Sequence, residues 1–373
     1  MITLFSIKPF SGDPADGIDN VQLSVFSRTN PQKLTFLAER EVRRKVSPAI
    51  SRETLTRKGS IVEINLKKWR GVLYLIAKLL FLSRLQPNYL LGTGTVSDIF
   101  FIIFKPPRTR YDIVWHTVLL KNEKLWRIRT PWWLRSFIFR RADTVLAVSR
   151  FAAESVKKHF PQKKIIAILN GVDPVFFHPR KRSRKYLEEQ HEIPNSLPLV
   201  VCIGQLHPRK RPDVFIEIAK DYFTKARFVL VGRRVPPYNF LKSACGVQNF
   251  HWIEAMDRED ISILLASSEV LISPSLNEAS AAVILEAMAS GSVPIVSESG
   301  GNPEFLVSKE SGFLIQQNAH ENEMFLKKLD ALVSNPDLWR QMSRAARREA
   351  EKHSWDSVAR LYERALGVAE YTL

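Results

Sequence analysis

Short apolar runs alternate with amphipathic, largely basic stretches through the first half of the chain. Residues 2–8, Tyr89–Gly92, Asp112–His116 and Thr144–Ser149 read as strands, each followed by a turn or a helical pattern. Ile165–Leu169 reads as another, ending in the turn signal Asn170-Gly171-Val172-Asp173-Pro174. A polar, basic stretch, Pro179 to Asn195, then separates this series from a second one that opens at Leu197–Gly204. The second series predicts strands at Arg227–Val231, Val270–Pro274 and Val293–Ser297, with helices near 213–224, 258–267 and 280–290. Pro336 to Val368 reads as charged amphipathic helices with Trp339, Leu361, Tyr362 and Leu366 on apolar stripes. Strands alternating with helices are the rhythm of parallel sheets with crossover connections. The expectation is an α/β protein of two doubly wound, Rossmann-like domains, 1–180 and 181–355.

Composition narrows this picture. The chain has 373 residues, more than one ordinary core accommodates, and is 45% hydrophobic and 25% charged, as expected of a soluble α/β protein. Of two cysteines, Cys202 falls in the apolar run Leu199–Ile203 and Cys245 lies elsewhere, so no disulfide framework and a reducing, cytoplasmic compartment are expected. The opening Met1–Lys8 reads as a strand rather than a leader. The longest apolar stretch, Gly71–Leu82, is interrupted by Lys78 and is shorter than the roughly 18 residues a spanning helix needs. Net charge is +17, but residues 1–180 hold 31 Lys+Arg against 13 Asp+Glu, and the remainder is close to neutral. So uneven a distribution predicts that the first half faces something anionic: a membrane surface, a phosphorylated acceptor or nucleic acid.

The densest cluster of candidate chemistry is residues 273–291, Ser-Pro-Ser-Leu-Asn-Glu278-Ala279-Ser280-Ala281-Ala282-Val-Ile-Leu-Glu286-Ala-Met-Ala-Ser-Gly291. A strand end, a loop with Glu278, a small-residue helix with Glu286 and a glycine C-cap follow in order. Eight helical residues rise about 12 Å, similar to the reach from sugar to ribose in a nucleotide diphosphate sugar. Two carboxylates so spaced can accept hydrogen bonds from hydroxyls at opposite ends of one such molecule. A helix N-terminus between them suits a pyrophosphate, and Ala279, Ser280, Ala281 and Ala282 are small enough for close approach.

This block resembles the Glu-x7-Glu motif of the retaining GT-B glycosyltransferases of family 4. Further matches are Ile203-Gly204-Gln205-Leu206-His207-Pro208-Arg209-Lys210, Leu230-Val231-Gly232, Ser299-Gly300-Gly301-Asn302-Pro303-Glu304 and Asn170-Gly171-Val172-Asp173. The resemblance implies a GT-B fold whose two Rossmann-like domains face a central cleft, with a C-terminal helix, 356–373, returning towards the first. It implies an acceptor-binding first domain and a second that binds a UDP- or GDP-sugar, with Glu278 on the transferred sugar, Glu286 on the ribose and Lys210 on the pyrophosphate. Gly204, Gln205, Arg209 and Gly232 belong to the implied donor site. A solvated basic turn is the competing reading of Arg209-Lys210-Arg211. Where the family commonly has arginine, this chain has Gln205, so Arg209 or Arg211 would have to supply the charge.

The family's functional histidine corresponds to His116, whose other reading is a satisfied structural histidine, and Gly17 is the candidate acceptor contact. Lys121–Arg141 interleaves Trp126, Arg127, Arg129, Trp132, Trp133 and Arg135, a pattern that suits either a membrane interface or a core helix with solvated arginines. No nucleic-acid-reading motif accompanies the basic residues, so nucleic acid is not an expected partner. No Asp-x-Asp motif or His/Cys cluster occurs, so no metal or other cofactor is expected. The expected activity is transfer of a sugar to a glycan or lipid-linked acceptor by a peripherally membrane-bound enzyme. The alternatives are a GT-B sugar-nucleotide epimerase and a catalytically weak scaffold.

Overall fold

The computed structural model describes residues 36–39, 61–64, 89–92, 99, 102–103, 108–117, 131–234, 244, 246–306 and 310–366. The expected strand at 2–8, Gly17, the Gly71–Leu82 run, Trp126, Arg127, Arg129 and Cys245 lie outside the described residues. The chain divides into two units, 1–170 with 355–373, and 171–354.

In the first unit β1 (Phe36–Glu39) and β2 (Ile61–Ile64) form a parallel pair. Strands β3 (Tyr89–Gly92), β4 (Arg110–Trp115), β5 (Thr144–Ala147) and β6 (Lys164–Ala167) form a four-stranded parallel sheet in sequence order. Helix α1 (Trp132–Arg141) follows β4, and α2 (Arg150–Lys157) crosses from β5 to β6, started by Ser149, whose hydroxyl accepts from the Ala152 N–H at 3.0 Å. Aromatic side chains close the core: Trp115 meets Phe139 edge-on at 5.0 Å, and Phe139 stacks on Phe160 at 5.3 Å. On β4 the buried carboxylate of Asp112 accepts from the Thr144 N–H at 2.8 Å and pairs with Arg110 at 3.1 Å. Its charge is thereby compensated.

In the second unit, β7 (Leu199–Ile203), β8 (Arg227–Val231), β9 (Phe250–Ile253), β10 (Val270–Ser273), β11 (Val293–Ser297) and β12 (Phe313–Ile315) form one parallel sheet in the order β12-β11-β10-β7-β8-β9. That is the Rossmann order, with its reversal between β7 and β10. Helices α3 (Arg184–His191), α4 (Pro212–Asp221), α5 (Arg258–Ser267), α6 (Ala282–Ser290), α7 (Glu321–Val333) and α8 (Pro336–Lys352) accompany it, and α9 (Trp355–Leu366) belongs to the first unit. Phe215, Phe228, Ile216 and Phe325 are fully buried between sheet and helices. Among the described residues no helix is long and apolar enough to cross a membrane.

The structure adds to the sequence reading at three places. Helix α6 begins at Ala282, not 280, so Glu278 lies in a loop and a continuous helical rise does not apply between the two glutamates. The division falls after Asn170 rather than 180. Pro179–Asn195, the stretch that separates the two series, holds α3, whose Tyr186 hydroxyl donates to Asp260 at 2.8 Å and whose His191 lies 3.0 Å from the same carboxylate. The polarity that marks it as a boundary in sequence serves hydrogen bonds to α5.

Segment 171–182 belongs to the second unit because its backbone is tied to α8. The Val172 N–H donates to His353 at 2.9 Å, and the Arg347 guanidinium donates to the carbonyls of Phe177 at 2.7 Å, Pro174 at 2.8 Å and Ala289. Arg347→Met keeps the stem but strands three carbonyls, and should destabilise the protein by about 2–4 kcal/mol, seen as a lower unfolding midpoint with unchanged secondary structure below it.

Candidate functional site

At the reversal of strand order two loops leave the carboxyl ends of adjacent strands, where open α/β sheets bind ligands. One follows β7 and runs from Gly204 to Arg211; the other follows β10 and runs from Pro274 to Ala281. The first is a short 3-10 turn, Pro208–Lys210, capped by His207, whose Nδ1 accepts from the Arg209 N–H at 3.2 Å. The Leu276 N–H donates to the Arg209 carbonyl at 2.8 Å, which fastens the loops together.

Glycines make the approach possible. Gly232, at φ +154°, packs so closely that a Cβ there would stand 1.8 Å from the Gly204 carbonyl oxygen. Gly300, at φ +62°, would put a Cβ 2.1 Å from the Glu278 carbonyl oxygen, the same oxygen that accepts from the Gly301 N–H at 2.7 Å. No side chain fits at either position. The Ser299 hydroxyl accepts from the Asn277 N–H at 2.7 Å, so the loop after β11 braces Glu278 from behind.

The braced carboxylate is buried, with 8% of its side chain exposed, and one of its oxygens takes two cations: Arg209 Nη1 and Lys210 Nζ each lie 2.7 Å from Glu278 Oε1. Burial pushes the Glu278 carboxyl up, but Lys210 and Arg209 together outweigh it and hold the carboxyl below its ordinary value. Helix α6 starts beside this loop without a side-chain cap; the Ile284 N–H donates to the Ala281 carbonyl at 3.0 Å. The buried Ser280 hydroxyl has no protein partner. Two cations paired with Glu278, a helix N-terminus and an unused hydroxyl converge here, groups of the kind that can hold an anion.

Glu286 lies one turn into α6 and is mostly buried, with 16% of its side chain exposed. Burial raises its carboxyl, and Arg258 at 3.4 Å offsets this only in part. The structure therefore brings together Gly204, Arg209, Lys210, Glu278, Ala279, Ser280, Ala281 and Ala282 around the two loops. Gly232 backs Gly204, and Glu286 lies further along the helix. Gln205 is exposed. Arg211 is occupied elsewhere, 2.6 Å from the buried Glu321, which also accepts from Ser297 at 2.8 Å, so of the two arginines offered in its place only Arg209 reaches Glu278. Arg258 escapes the sequence reading, being ordinary in type and remote in sequence from the paired glutamates, and Ser299, quoted within the Ser299–Glu304 match, is given no role there.

His116 follows β4 directly and is half-buried in the first unit. Of the proposed membrane contacts that are described, Trp133 is 70% exposed. The other two are corrected: Trp132 packs against Phe160 at 6.0 Å and His159 at 5.0 Å, and Arg135 is 3% exposed. Periodicity does not reveal which face of so short a helix the core takes.

The fold defines a GT-B protein of two Rossmann-like α/β domains. It is shared with Anabaena Alr3699/HepE in complex with UDP, at a TM-score of 0.76 and 17% identity, with 99% of this chain and 100% of that one covered. The family model described as Glycosyltransferase Family 4 matches residues 22–176, and that described as Glycosyl transferases group 1 matches 183–349. The chain belongs to this glycosyltransferase family. Sulfoquinovosyl transferase SQD2 of Arabidopsis thaliana is 26% identical over 62% of this chain and 45% of its own length. A GDP-mannose-dependent alpha-(1-6)-phosphatidylinositol dimannoside mannosyltransferase of Mycobacterium tuberculosis is 28% identical over 58% and 55%. The chain thus spans about half the length of these curated relatives.

The two-cation clamp carries a pH signature. Because the folded Glu278 carboxyl sits below its ordinary value, its ionised form stabilises the fold above the carboxylate range, and that contribution is lost as pH falls through the lowered value. Scanning calorimetry should therefore show the unfolding temperature of the wild type falling more steeply than that of Glu278→Gln as the pH drops below about 4.5.

Proposed function

We propose that this chain is a retaining glycosyltransferase that moves a hexosyl group from a UDP- or GDP-sugar to a glycan or lipid-linked acceptor at a membrane surface. The observation that carries the reading is the buried Glu278, held by Lys210 and Arg209 beside the uncapped start of the helix that bears Glu286. An incoming diphosphate competes with Glu278 for both cations. As they turn to the phosphates, the Glu278 carboxylate is released to accept from a sugar hydroxyl, while Glu286 accepts from the ribose. The bond from the anomeric carbon to the phosphate oxygen breaks, one to the acceptor oxygen forms on the same face, and the acceptor proton passes to the departing diphosphate. Lys210, Arg209 and the α6 N-terminus stabilise the charge that builds on that leaving group, so no metal is required. His116 contacts the reacting region and Gly17 the acceptor. The name of the mycobacterial relative, with its GDP-mannose and phosphatidylinositol dimannoside, and the UDP held by the Anabaena protein support this donor and acceptor class.

A thermal-shift series with UDP- and GDP-sugars should raise the unfolding temperature with the true donor. Calorimetry should then show Glu286→Ala weakening binding of the matching nucleoside diphosphate by about 1–3 kcal/mol. Unchanged affinity would remove the ribose role, and conversion of a donor sugar with no acceptor present would point to an epimerase instead.

The basic first half and the exposed Trp133 support a peripheral, cytoplasmic-face location at an anionic membrane. The protein should sediment with phosphatidylserine-containing vesicles at low salt and be released as salt rises. Failure to sediment would leave a soluble anionic acceptor as the better account of the charge.

A further inference from the structure

Glu286 is the less securely held of the two glutamates. Burial works against its ionised form, and the charge that opposes this is the Arg258 guanidinium, 3.4 Å away at the start of α5. Arg258 is itself set in place from the other side. Its guanidinium carbon lies 5.0 Å from the ring centre of Phe177 and 5.5 Å from that of Phe176, and the two rings meet edge-on at 5.1 Å. Phe177 is fully buried, and its carbonyl accepts from Arg347.

The other charged groups on the elements packed against α6 have different partners. On α5, Glu259 pairs with Lys181 at 2.8 Å, and Asp260 takes Tyr186 and His191. Lys181 also lies 3.9 Å from the Phe176 ring centre, so that ring carries a cation on each account, Lys181 and Arg258. On the turn 179–181, Arg180 is exposed. On α8, Arg347 is taken up by carbonyls and by Glu351 at 2.7 Å, Arg340 pairs with Asp337, Lys352 with Glu349, and Arg344 is exposed.

We propose that Arg258, seated on Phe177 and Phe176 and 3.4 Å from Glu286, is a positioning residue for donor binding: it orients the Glu286 carboxylate for the nucleotide and balances its charge. A guanidinium resting on aromatic faces is planar and partly desolvated, so it presents its N–H groups in a fixed direction that a flexible ammonium does not reproduce. The ionised carboxylate binds a hydroxyl more strongly than the neutral acid, because both its oxygens accept and the hydrogen bond is charge-assisted. Without Arg258, Glu286 remains buried with its opposing charge removed, takes up a proton at a higher pH, and is free to change rotamer. This inference rests on the assignment of Glu286 to the nucleotide.

Calorimetric binding of UDP and GDP across a pH series, with the intact chain, tests it. Arg258→Met should weaken the nucleotide that binds by about tenfold at neutral pH and move the acid limb of the affinity profile to higher pH; Arg258→Lys should restore the limb and part of the affinity. The deciding comparison is the double variant Arg258→Met/Glu286→Gln. If Arg258 acts through Glu286, the double variant binds no worse than Glu286→Gln alone. Additive losses would overturn the proposal and make Arg258 a direct contact. An unchanged acid limb in Arg258→Met would overturn it too. If Glu286→Gln itself leaves binding unchanged, it is the ribose assignment that fails. Circular dichroism and the unfolding midpoint of each variant separate lost binding from lost fold: a loss of affinity that follows the fraction unfolded, and that Arg258→Lys does not repair, counts against the proposal.

Discussion

A carboxylate taken out of water is costly unless cations and hydrogen bonds replace its hydration, and the site of the second unit is arranged around one such carboxylate. Arg209 and Lys210 reach the same oxygen of Glu278 from a loop on a different strand. That contact requires the loops after β7 and β10 to touch, which the Leu276 to Arg209 hydrogen bond accomplishes. It also requires a third loop to support Glu278 closely enough that no Cβ fits at Gly300, while Gly232 lets the strand beside β7 lie against Gly204. The Rossmann strand order places β7 and β10 side by side, so the pairing of charges and the topology depend on each other.

The two glutamates of one short motif are tuned in opposite directions. Glu278, with two cations, is held below its ordinary carboxyl value, and Glu286, with one more distant cation, is raised above it. The difference suits their proposed tasks. In the proposed reaction Glu278 exchanges ion-pair partners as a diphosphate arrives, and its partners, Arg209 and Lys210, are long side chains that are partly exposed. Glu286 has no phosphate to answer and needs only a fixed, ionised acceptor, which makes its support from Arg258 and the Phe176–Phe177 pair consequential.

Long, strongly patterned elements were legible in the sequence: β8 at Arg227–Val231, β11 at Val293–Ser297 and α5 at Arg258–Ser267 fall where the hydrophobic pattern puts them. Strands β9 and β12, of four and three residues, are absent from the sequence reading. The polar stretch before β7 reads as a domain boundary because its hydrogen-bond partners, Asp260 and Ser267, lie more than 60 residues away. Trp132 and Arg135 looked like surface for a related reason: an amphipathic segment shows that one face is buried without showing which core receives it.

One pentapeptide separates what the sequence determines from what the tertiary structure decides. His-Pro-Arg-Lys-Arg occurs twice, at 178–182 and 207–211. In both places it forms the same 3-10 turn, with the histidine Nδ1 accepting from the N–H two residues on, because that capping is a local matter of proline geometry and short-range hydrogen bonding. The lysines then diverge. Lys181 meets the half-exposed Glu259 and helps hold α5, whereas Lys210 meets the buried Glu278. The paired glutamates, the glycines and the alternation of strand and helix were set by sequence alone. That Arg209 rather than Arg211 joins Lys210, and that Arg258 serves Glu286, was decided by which strand ends the fold brings together, since a charge finds its partner through space and not along the chain.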